Sequence, residues 1–161
     1  MNTQDYHKSI TTTVSAEEAF TKISSVSTWW TDNFKGSAKN LNDVFTLRFG
    51  DDTVTLQVVE VVPNKKWVWL VTDCHMLWLK DTTEWKNTQI VFEISEGKHQ
   101  TRIDMTHVGL VPGVECYNVC EGGWNRHLKD LTAWLETSIC PPLDPVKVGN
   151  QFRVVSASDF P

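Results

Sequence analysis

His107 is the residue whose chemistry and position best suit a functional site. It lies near the end of the alternating run Thr101–Val108, in which Ile103, Met105 and His107 share one face of a predicted strand. An imidazole on an inward face can donate a hydrogen bond to a ligand oxygen or act as a base. The alternative is a buried histidine bonded to a neighbouring group. The sequence leaves both roles open.

The cysteines offer a second possible chemistry. Cys74, Cys116, Cys120 and Cys140 form no C-x-x-C pair and accompany no secretion signal, so we expect reduced thiols. Cys116 and Cys120 lie four residues apart and therefore close together on a helix, where a metal site with His107 or a redox thiol can be imagined. Zinc ligands usually pair across a tight turn, and nothing else clusters here. We therefore predict no metal and no cofactor.

Other catalytic patterns are missing from the sequence. It has no nucleophile elbow, no phosphate-binding loop and no paired-carboxylate motif. Asp51-Asp52 suits a hairpin turn better than an acid pair. We therefore assign no catalytic residue.

Large aromatic side chains are unusually frequent, with 8 Trp beside 7 Phe and 2 Tyr. Rings fill cores, but they also line apolar pockets. The inward positions of the predicted strands and of the last helix are candidates for lining a ligand pocket between sheet and helix, with Trp30 and Trp78 at its mouth. Its predicted lining is Trp30, Trp69, Trp78, Phe92, Met105, His107, Tyr117, Cys120 and Trp124. A closed core built from the same residues is the alternative.

The adjacent Gly122 and Gly123 weakly support a pocket. Each glycine inside a helix costs on the order of 1 kcal/mol against alanine. Close approach to the sheet, or room beside a ligand, would offset that cost.

The element that positions these residues is a long amphipathic helix predicted over Gly113–Ile139. Tyr117, Cys120, Trp124, Leu128, Leu131 and Leu135 recur at helical spacing on one face. Prolines before and after the run are typical of a helix start and stop.

The preceding residues predict the sheet that this helix covers. A strand over 6–14 and a helix to about residue 26, capped by Ser15 and Glu18, come first. Strands follow at 44–49, 53–62, 67–72, 89–95 and 101–108, and a bulge is expected near Val58–Glu60. Residues 31–42 suit a loop, and 76–80 a short strand or a covering loop. The order of strand, helix, about six antiparallel strands and long helix predicts an α+β fold.

Length and composition indicate the number of domains and the classes of partner. The 161 residues suit one domain, which we place at 1–140, followed by a partly mobile tail at 141–161. The net charge of −5 and the lack of a basic patch disfavour a nucleic-acid partner. No signal peptide or membrane span is recognised, so a cytoplasmic location is expected.

Four motifs make the chain resemble a known superfamily. They are S-I-T-T-T-V-S-A-E-E-A-F from Ser9, T-E-W at Glu84, T-H-V-G-L from Thr106 and G-W-N-R-H-L-K-D-L from Gly123. Over roughly residues 6–138 the sequence is similar to the START-like helix-grip (SRPBCC, START/Bet v 1-like) superfamily, in its branch called activator of Hsp90 ATPase homologue 1-like. The resemblance implies a curved antiparallel sheet wrapped around a C-terminal helix, usually with a cavity for an apolar ligand between them.

Three functions follow from the resemblance as alternatives. The first is binding of a small apolar or lipid-like molecule, with His107 or Tyr117 offering a hydrogen bond. The second is an enzyme in the same cavity, since the superfamily includes cyclases and hydrolases, with His107 and Glu115 as acid–base groups. The third is an Hsp90-type chaperone partner. It ranks last because the eukaryotic activators carry a further N-terminal domain without a counterpart in this sequence.

Overall fold

A computed structural model describes residues 4–137 as one antiparallel sheet with three helices. The strands are β1 (Tyr6–Thr12), β2 (Phe34–Gly36), β3 (Val44–Phe49), β4 (Asp52–Val62), β5 (Lys66–His75), β6 (Gln89–Glu96) and β7 (Thr101–Val108). The helices are α1 (Ala16–Ile23), α2 (Val26–Trp29) and α3 (Tyr117–Leu135). The predicted tail, 141–161, lies outside the described residues. Within residues 4–137 no helix is both long and apolar enough to cross a membrane.

The sheet is a meander closed at one edge by the first strand. Its strand order is β1-β7-β6-β5-β4-β3-β2, and every pairing is antiparallel. β1 pairs with β7 so that Tyr6 lies opposite His107. α1 and α2 therefore connect the two edges of the sheet, and α3 packs across it. The predicted α+β helix-grip architecture is confirmed.

The sheet curves where β4 changes register against β5. One shift lies between Val58 and Glu60, which confirms the predicted bulge, and a second lies between Thr55 and Leu56. Bulges bend a strand and increase its twist. The long strands β4 and β5 can thus wrap around the helix layer.

The predicted loop over 31–42 is wrong at Phe34–Gly36, which forms β2 against β3. The strand is short and polar apart from Phe34, so alternation gives no signal. Gly36 has φ +102°, and an added Cβ would lie 2.2 Å from the carbonyl oxygen of Val44. Only glycine fits this close approach of two backbones. Residues 76–80 are a loop rather than a strand.

The first helical segment divides in two. Ser15 caps α1 by accepting from the amide of Glu18 at 3.1 Å, as the capping box predicts. α1 ends at Ile23, earlier than predicted, and α2 then brings Trp29 and Trp30 into the core. These rings form the floor on which α3 packs.

α3 begins four residues after the predicted start. Gly113 has φ +119°, and Pro112 forms a bridge with Val114, so this segment is irregular backbone before the helix. The predicted apolar face is confirmed from Cys120 onward, since Cys120, Trp124, Leu128, Leu131 and Leu135 are buried, whereas Tyr117 is only half-buried. The predicted end at Ile139 lies outside the described residues.

The side chain of Lys22 caps the C-terminal end of α3. Its Nζ donates to the carbonyl oxygens of Trp134 (3.1 Å), Leu135 (3.3 Å) and Thr137 (2.8 Å). Glu18 forms an ion pair with the same Nζ at 3.1 Å. The last carbonyls of a helix have no partner within it, so a buried ammonium group satisfies them and suits the negative end of the helix dipole.

Candidate functional site

An apolar concavity lies at the N-terminal half of α3, at one end of the sheet. Its volume is about 190 Å³. α3, the β3–β4 turn, Trp30 and the loop between β5 and β6 form its walls. The lining residues are Trp30, Phe49, Asp52, Val54, Met76, Trp78, Trp85, Val119, Cys120, Gly123, Trp124, Arg126 and His127. Most of this lining is aromatic or aliphatic, as is typical of small-molecule sites.

Gly123 belongs to the pocket wall, whereas Gly122 faces away from it. A Cβ added at either position would meet no atom within 4 Å. Close approach to the sheet therefore does not explain these glycines. At Gly123 the space that a side chain would fill is pocket volume.

The loop between β5 and β6 is held against the start of α3 by hydrogen bonds between carboxylates and backbone amides. The Glu84 carboxylate accepts from the amides of Glu115 (2.9 Å) and Cys116 (3.0 Å), just before the helix. Glu115 in turn accepts from the amide of Lys80 at 2.9 Å. A carboxylate at a helix N-terminus satisfies free amides and is favoured by the helix dipole. The T-E-W motif thus builds one wall of the pocket.

Trp85, the last residue of that motif, packs inside the wall. Its indole nitrogen donates to Sγ of Cys116 at 3.3 Å. Its ring lies parallel to that of Trp124, with centroids 6.4 Å apart and 2° between the planes. The loop and the helix therefore share one aromatic surface.

The mouth of the pocket is apolar and exposed. Trp78 is 44% exposed and Val119 is 62% exposed, and both line the pocket. Leu77, beside Trp78, is 59% exposed. An apolar rim around an apolar pocket is a typical feature of a binding surface.

Three polar side chains interrupt the apolar lining: Asp52, Arg126 and His127. Oδ1 of Asp52 accepts from the amide of Leu77 at 2.8 Å and so fixes the rim. Burial, together with the charge of Arg126, lowers the pKa of His127 to about 4. This imidazole is therefore neutral at pH 7.

The structure brings four of the nine predicted site residues to this pocket: Trp30, Trp78, Cys120 and Trp124. Four others, Trp69, Phe92, Met105 and His107, are fully buried at the centre of the sheet and do not line it. The indole nitrogen of Trp69 has no hydrogen-bond partner within residues 4–137.

Tyr117, the ninth, lies in a separate polar groove beside Tyr6 and Asn125. There the Tyr6 hydroxyl donates to Oδ1 of Asn125 at 2.7 Å. Burial and the charge of Glu121 raise the pKa of Tyr6 to about 12.

His107 connects β7 to α3 and to the loop. Its Nδ1 accepts from the indole nitrogen of Trp124 at 3.0 Å, and its Nε2 lies 2.9 Å from Oγ1 of Thr88. The Thr88 hydroxyl donates to the carbonyl of Trp85 at 2.6 Å, so Nε2–H of His107 is the donor to Thr88. Burial lowers the pKa of His107 to about 3. Both ring nitrogens are thus used inside the protein.

The cysteines near this network are buried thiols. Cys74, Cys116 and Cys120 are free and buried. A hydrogen bond to Cys120, together with burial, raises the pKa of Cys116 far above its usual value. In residues 4–137 no three His, Cys, Asp or Glu side chains converge as metal ligands would. Glu115 lies at the surface, outside the pocket.

A Ser–His–Asp cluster on the exposed face of β1 and β7 has the composition of a hydrolase triad but not its order. Nδ1 of His7 lies 2.9 Å from Oγ1 of Thr106, and Nε2 lies 3.4 Å from Oγ of Ser9 and 3.6 Å from Asp104. Ser9 itself donates to Asp104. A triad needs the acid on one ring nitrogen and the serine on the other. This cluster therefore lacks the arrangement of a catalytic triad.

Sequence reasoning missed Phe49, Trp85 and His127 as pocket residues. His127 carries a usable signal, because it follows Trp124 by three residues and Cys120 by seven on the same helical face. Phe49 ends an inward-facing strand pattern and has a weaker signal. Trp85 lies in a polar stretch without periodicity, so no sequence pattern places it.

Several solved structures share this fold. The Aha1 dimer from Colwellia psychrerythraea aligns with a TM-score of 0.68 and 21% identity, covering 82% of this chain and 96% of that one. Mll3558 from Rhizobium loti aligns with a TM-score of 0.67 and 16% identity, covering 83% and 97%. The Bacillus halodurans protein BH1534 gives 0.64 and 17%, covering 84% and 100%. Identities this low show a common fold and no more. No curated protein sequence matches the chain.

The family model described as "Activator of Hsp90 ATPase homolog 1-like protein" matches residues 18–136. The match spans most of the chain, including the T-E-W loop and α3. The strand order and the gripped helix agree with it. The chain therefore belongs to the activator of Hsp90 ATPase homologue 1-like family, a branch of the START-like helix-grip superfamily.

Proposed function

We propose that this protein binds one small apolar molecule in the pocket at the N-terminal half of α3. The observation that carries the proposal is an aromatic-walled concavity of about 190 Å³, in which a side chain at Gly123 would take up space. Apolar surface that a ligand removes from water contributes roughly 25 cal/mol per Å². The rings of Trp30, Trp78, Trp85 and Trp124 offer such surface to a ligand.

The pocket volume limits the size of the ligand that it can hold. An apolar cavity of about 150 Å³ in another protein accommodates benzene. A pocket of about 190 Å³ therefore holds one six-membered ring with a short substituent. A long acyl chain exceeds it, so among the apolar and lipid-like molecules expected from the sequence the pocket favours small aromatic ones.

Tryptophan fluorescence titration tests this proposal with two matched glycine variants. The probes are phenylacetate, its neutral analogue 2-phenylacetamide, and palmitate. Gly123→Ala places a methyl group in the pocket, and we expect the dissociation constant for the ring compounds to rise about tenfold. Gly122→Ala is the control, because it makes the same change outside the pocket and should alter affinity by less than about twofold.

Both alanine variants should also stabilise α3 by about 1 kcal/mol, because alanine has the higher helix propensity and neither Cβ meets another atom. Thermal unfolding checks this and shows that any loss of affinity is not a loss of folding. Equal ring affinity in both variants, or palmitate as the tightest probe, would contradict the proposal.

A chaperone partner is the second candidate function, and the family match favours it. The exposed rim formed by Leu77, Trp78 and Val119 is the surface in the described structure that best suits a protein contact. Binding of an Hsp90-type chaperone, measured by calorimetry, would support it if Val119→Asp abolished the heat signal. No binding by the unmodified protein would dismiss it.

A further inference from the structure

The polar groups of the pocket indicate which kind of ring compound it takes. His127 and Arg126 project from consecutive positions of α3, and Asp52 lies at the start of β4 across the pocket. The other lining residues are apolar or weakly polar. A few polar groups in an apolar pocket normally fix the orientation of a ligand.

His127 is polar but has no hydrogen-bond partner within residues 4–137. Its Nδ1 is buried and unpartnered, and its ring lies among Trp30 (6.1 Å), Phe49 (6.0 Å) and Trp124 (6.3 Å). A neutral imidazole carries one proton, and a buried N–H without an acceptor is costly. The proton therefore belongs on Nε2, which has no acceptor among the residues that the structure describes.

Arg126 is the only cation of the pocket lining that the structure describes. Its side chain is exposed, and within residues 4–137 no carboxylate lies within 4 Å of it. A guanidinium group presents donors that match a carboxylate in a bidentate arrangement. Its charge is thus available to a ligand.

We propose that the ligand is a small aromatic carboxylate, whose ring lies among the tryptophans and whose carboxylate accepts from Arg126 and from Nε2 of His127. This assignment rests on the proposed function and names the chemical class of its ligand. The pocket holds the ring with a short substituent, so the carboxylate lies at the mouth beside the exposed guanidinium group.

Asp52 is the group that opposes an anion in this pocket. Its carboxylate lines the same space, and Oδ1 is already used by the amide of Leu77. Like charges repel, so Asp52 limits affinity for a carboxylate. Asp52→Asn keeps an oxygen acceptor for the amide of Leu77 and removes the charge, so it measures the effect of that charge on ligand affinity.

Calorimetry or fluorescence with three compounds of matched shape tests the assignment. Phenylacetate is an anion, 2-phenylacetamide is neutral and 2-phenylethylamine is a cation at pH 7. We expect phenylacetate to bind about tenfold more tightly than the amide, and the amine to bind most weakly.

The variants separate the contributions of the charges. Arg126→Gln should weaken phenylacetate binding about tenfold and leave the amide within about twofold. Asp52→Asn should strengthen phenylacetate binding about threefold. His127→Phe keeps an aromatic wall and should weaken phenylacetate more than the amide. Lys129→Gln removes a charge from α3 outside the pocket and is the control.

The outcomes distinguish the two proposals. If the amide binds as well as phenylacetate, or the amine binds most tightly, the carboxylate assignment is wrong while the ring-binding function stands. Equal losses in Arg126→Gln and Lys129→Gln would also overturn the assignment, because the effect would be general charge. If none of the three compounds binds, the proposed function itself fails.

Discussion

At the scale of residues, the buried His107 and the half-buried His127 differ in what surrounds them. His107 uses both ring nitrogens for contacts within the protein, whereas Nδ1 of His127 has no partner within residues 4–137. The first imidazole joins a strand to the last helix. The second faces the pocket wall. The same residue type thus serves packing in one case and, in our proposal, recognition in the other.

Because the pKa values of both histidines are lowered in the folded protein, we expect the protein to lose stability in mild acid. Their folded pKa values, about 3 and about 4, lie below the ordinary value of 6.5. The unfolded chain then binds protons that the folded chain does not, so stability is full above pH 6.5 and falls as the pH drops toward 4. Each histidine should cost about 2 kcal/mol between pH 7 and pH 5.

Urea denaturation at pH 7 and pH 5 measures this loss, with His127→Gln as the comparison. The variant should lose about 2 kcal/mol less than the unmodified protein over that interval, because one of the two groups no longer titrates. Identical pH dependence in both proteins would show that folding does not lower the pKa of His127.

The sequence placed His107 on an inward face but could not show its partners. Thr88 and Trp124 lie 19 and 17 residues away along the chain, and their contacts depend on how the loop and helix close over β7. His127 was open to prediction from helical spacing. The lack of a hydrogen-bond partner for its Nδ1 was not predictable, because it depends on the positions of all neighbouring polar atoms.

At the scale of elements, α3 is fixed at both ends by charged side chains from distant segments. Glu84 holds the amides at its start, and Lys22 holds the carbonyls at its end. Glu136 further accepts from the amide of Thr13 at 2.8 Å. The helix position, and therefore the pocket, depends on these contacts as well as on apolar packing.

Lys22→Met should destabilise the protein by about 2–3 kcal/mol. The substitution keeps the apolar stem but leaves the carbonyl oxygens at the end of α3 without their buried donor. Chemical denaturation measures the change. Lys129→Met, at an exposed position of α3, is the control and should stay within about 0.5 kcal/mol. A similar small effect at Lys22 would mean that water satisfies these carbonyls.

Most elements were predictable because their periodicity is strong. The bounds of β7 agree with the prediction. The bulge predicted near Val58–Glu60 is also present, as a register shift between Val58 and Glu60. The failures occur where backbone geometry decides. β2 depends on a glycine that lets two strands approach closely, and the start of α3 depends on the left-handed conformation of Gly113.

At the scale of the whole molecule, the C-terminal half of α3 is fully packed against the core, whereas its N-terminal half lines the pocket. Leu128, Leu131 and Leu135 pack without exposure against the rest of the core. Toward the N-terminus of the helix, the loop between β5 and β6, Trp30 and the β3–β4 turn form the walls of the pocket. The sequence predicted a pocket between the sheet and the last helix, and this concavity of the structure lies beside the N-terminal half of that helix. Sequence patterns show which residues face inward but not where packing is incomplete.

The most direct test of the pocket is the indole N–H region of a ¹H–¹⁵N NMR spectrum during titration with phenylacetate, repeated with 2-phenylacetamide. The 8 tryptophans give separate reporters across the molecule. Trp30, Trp78, Trp85 and Trp124 line the pocket, and their signals should shift in a saturable manner. Trp134, bonded to the carbonyl of Lys22 at the far end of α3, should not move. Shifts confined to Trp134, or no saturable shift with either compound, would contradict a binding pocket at the N-terminal half of the helix.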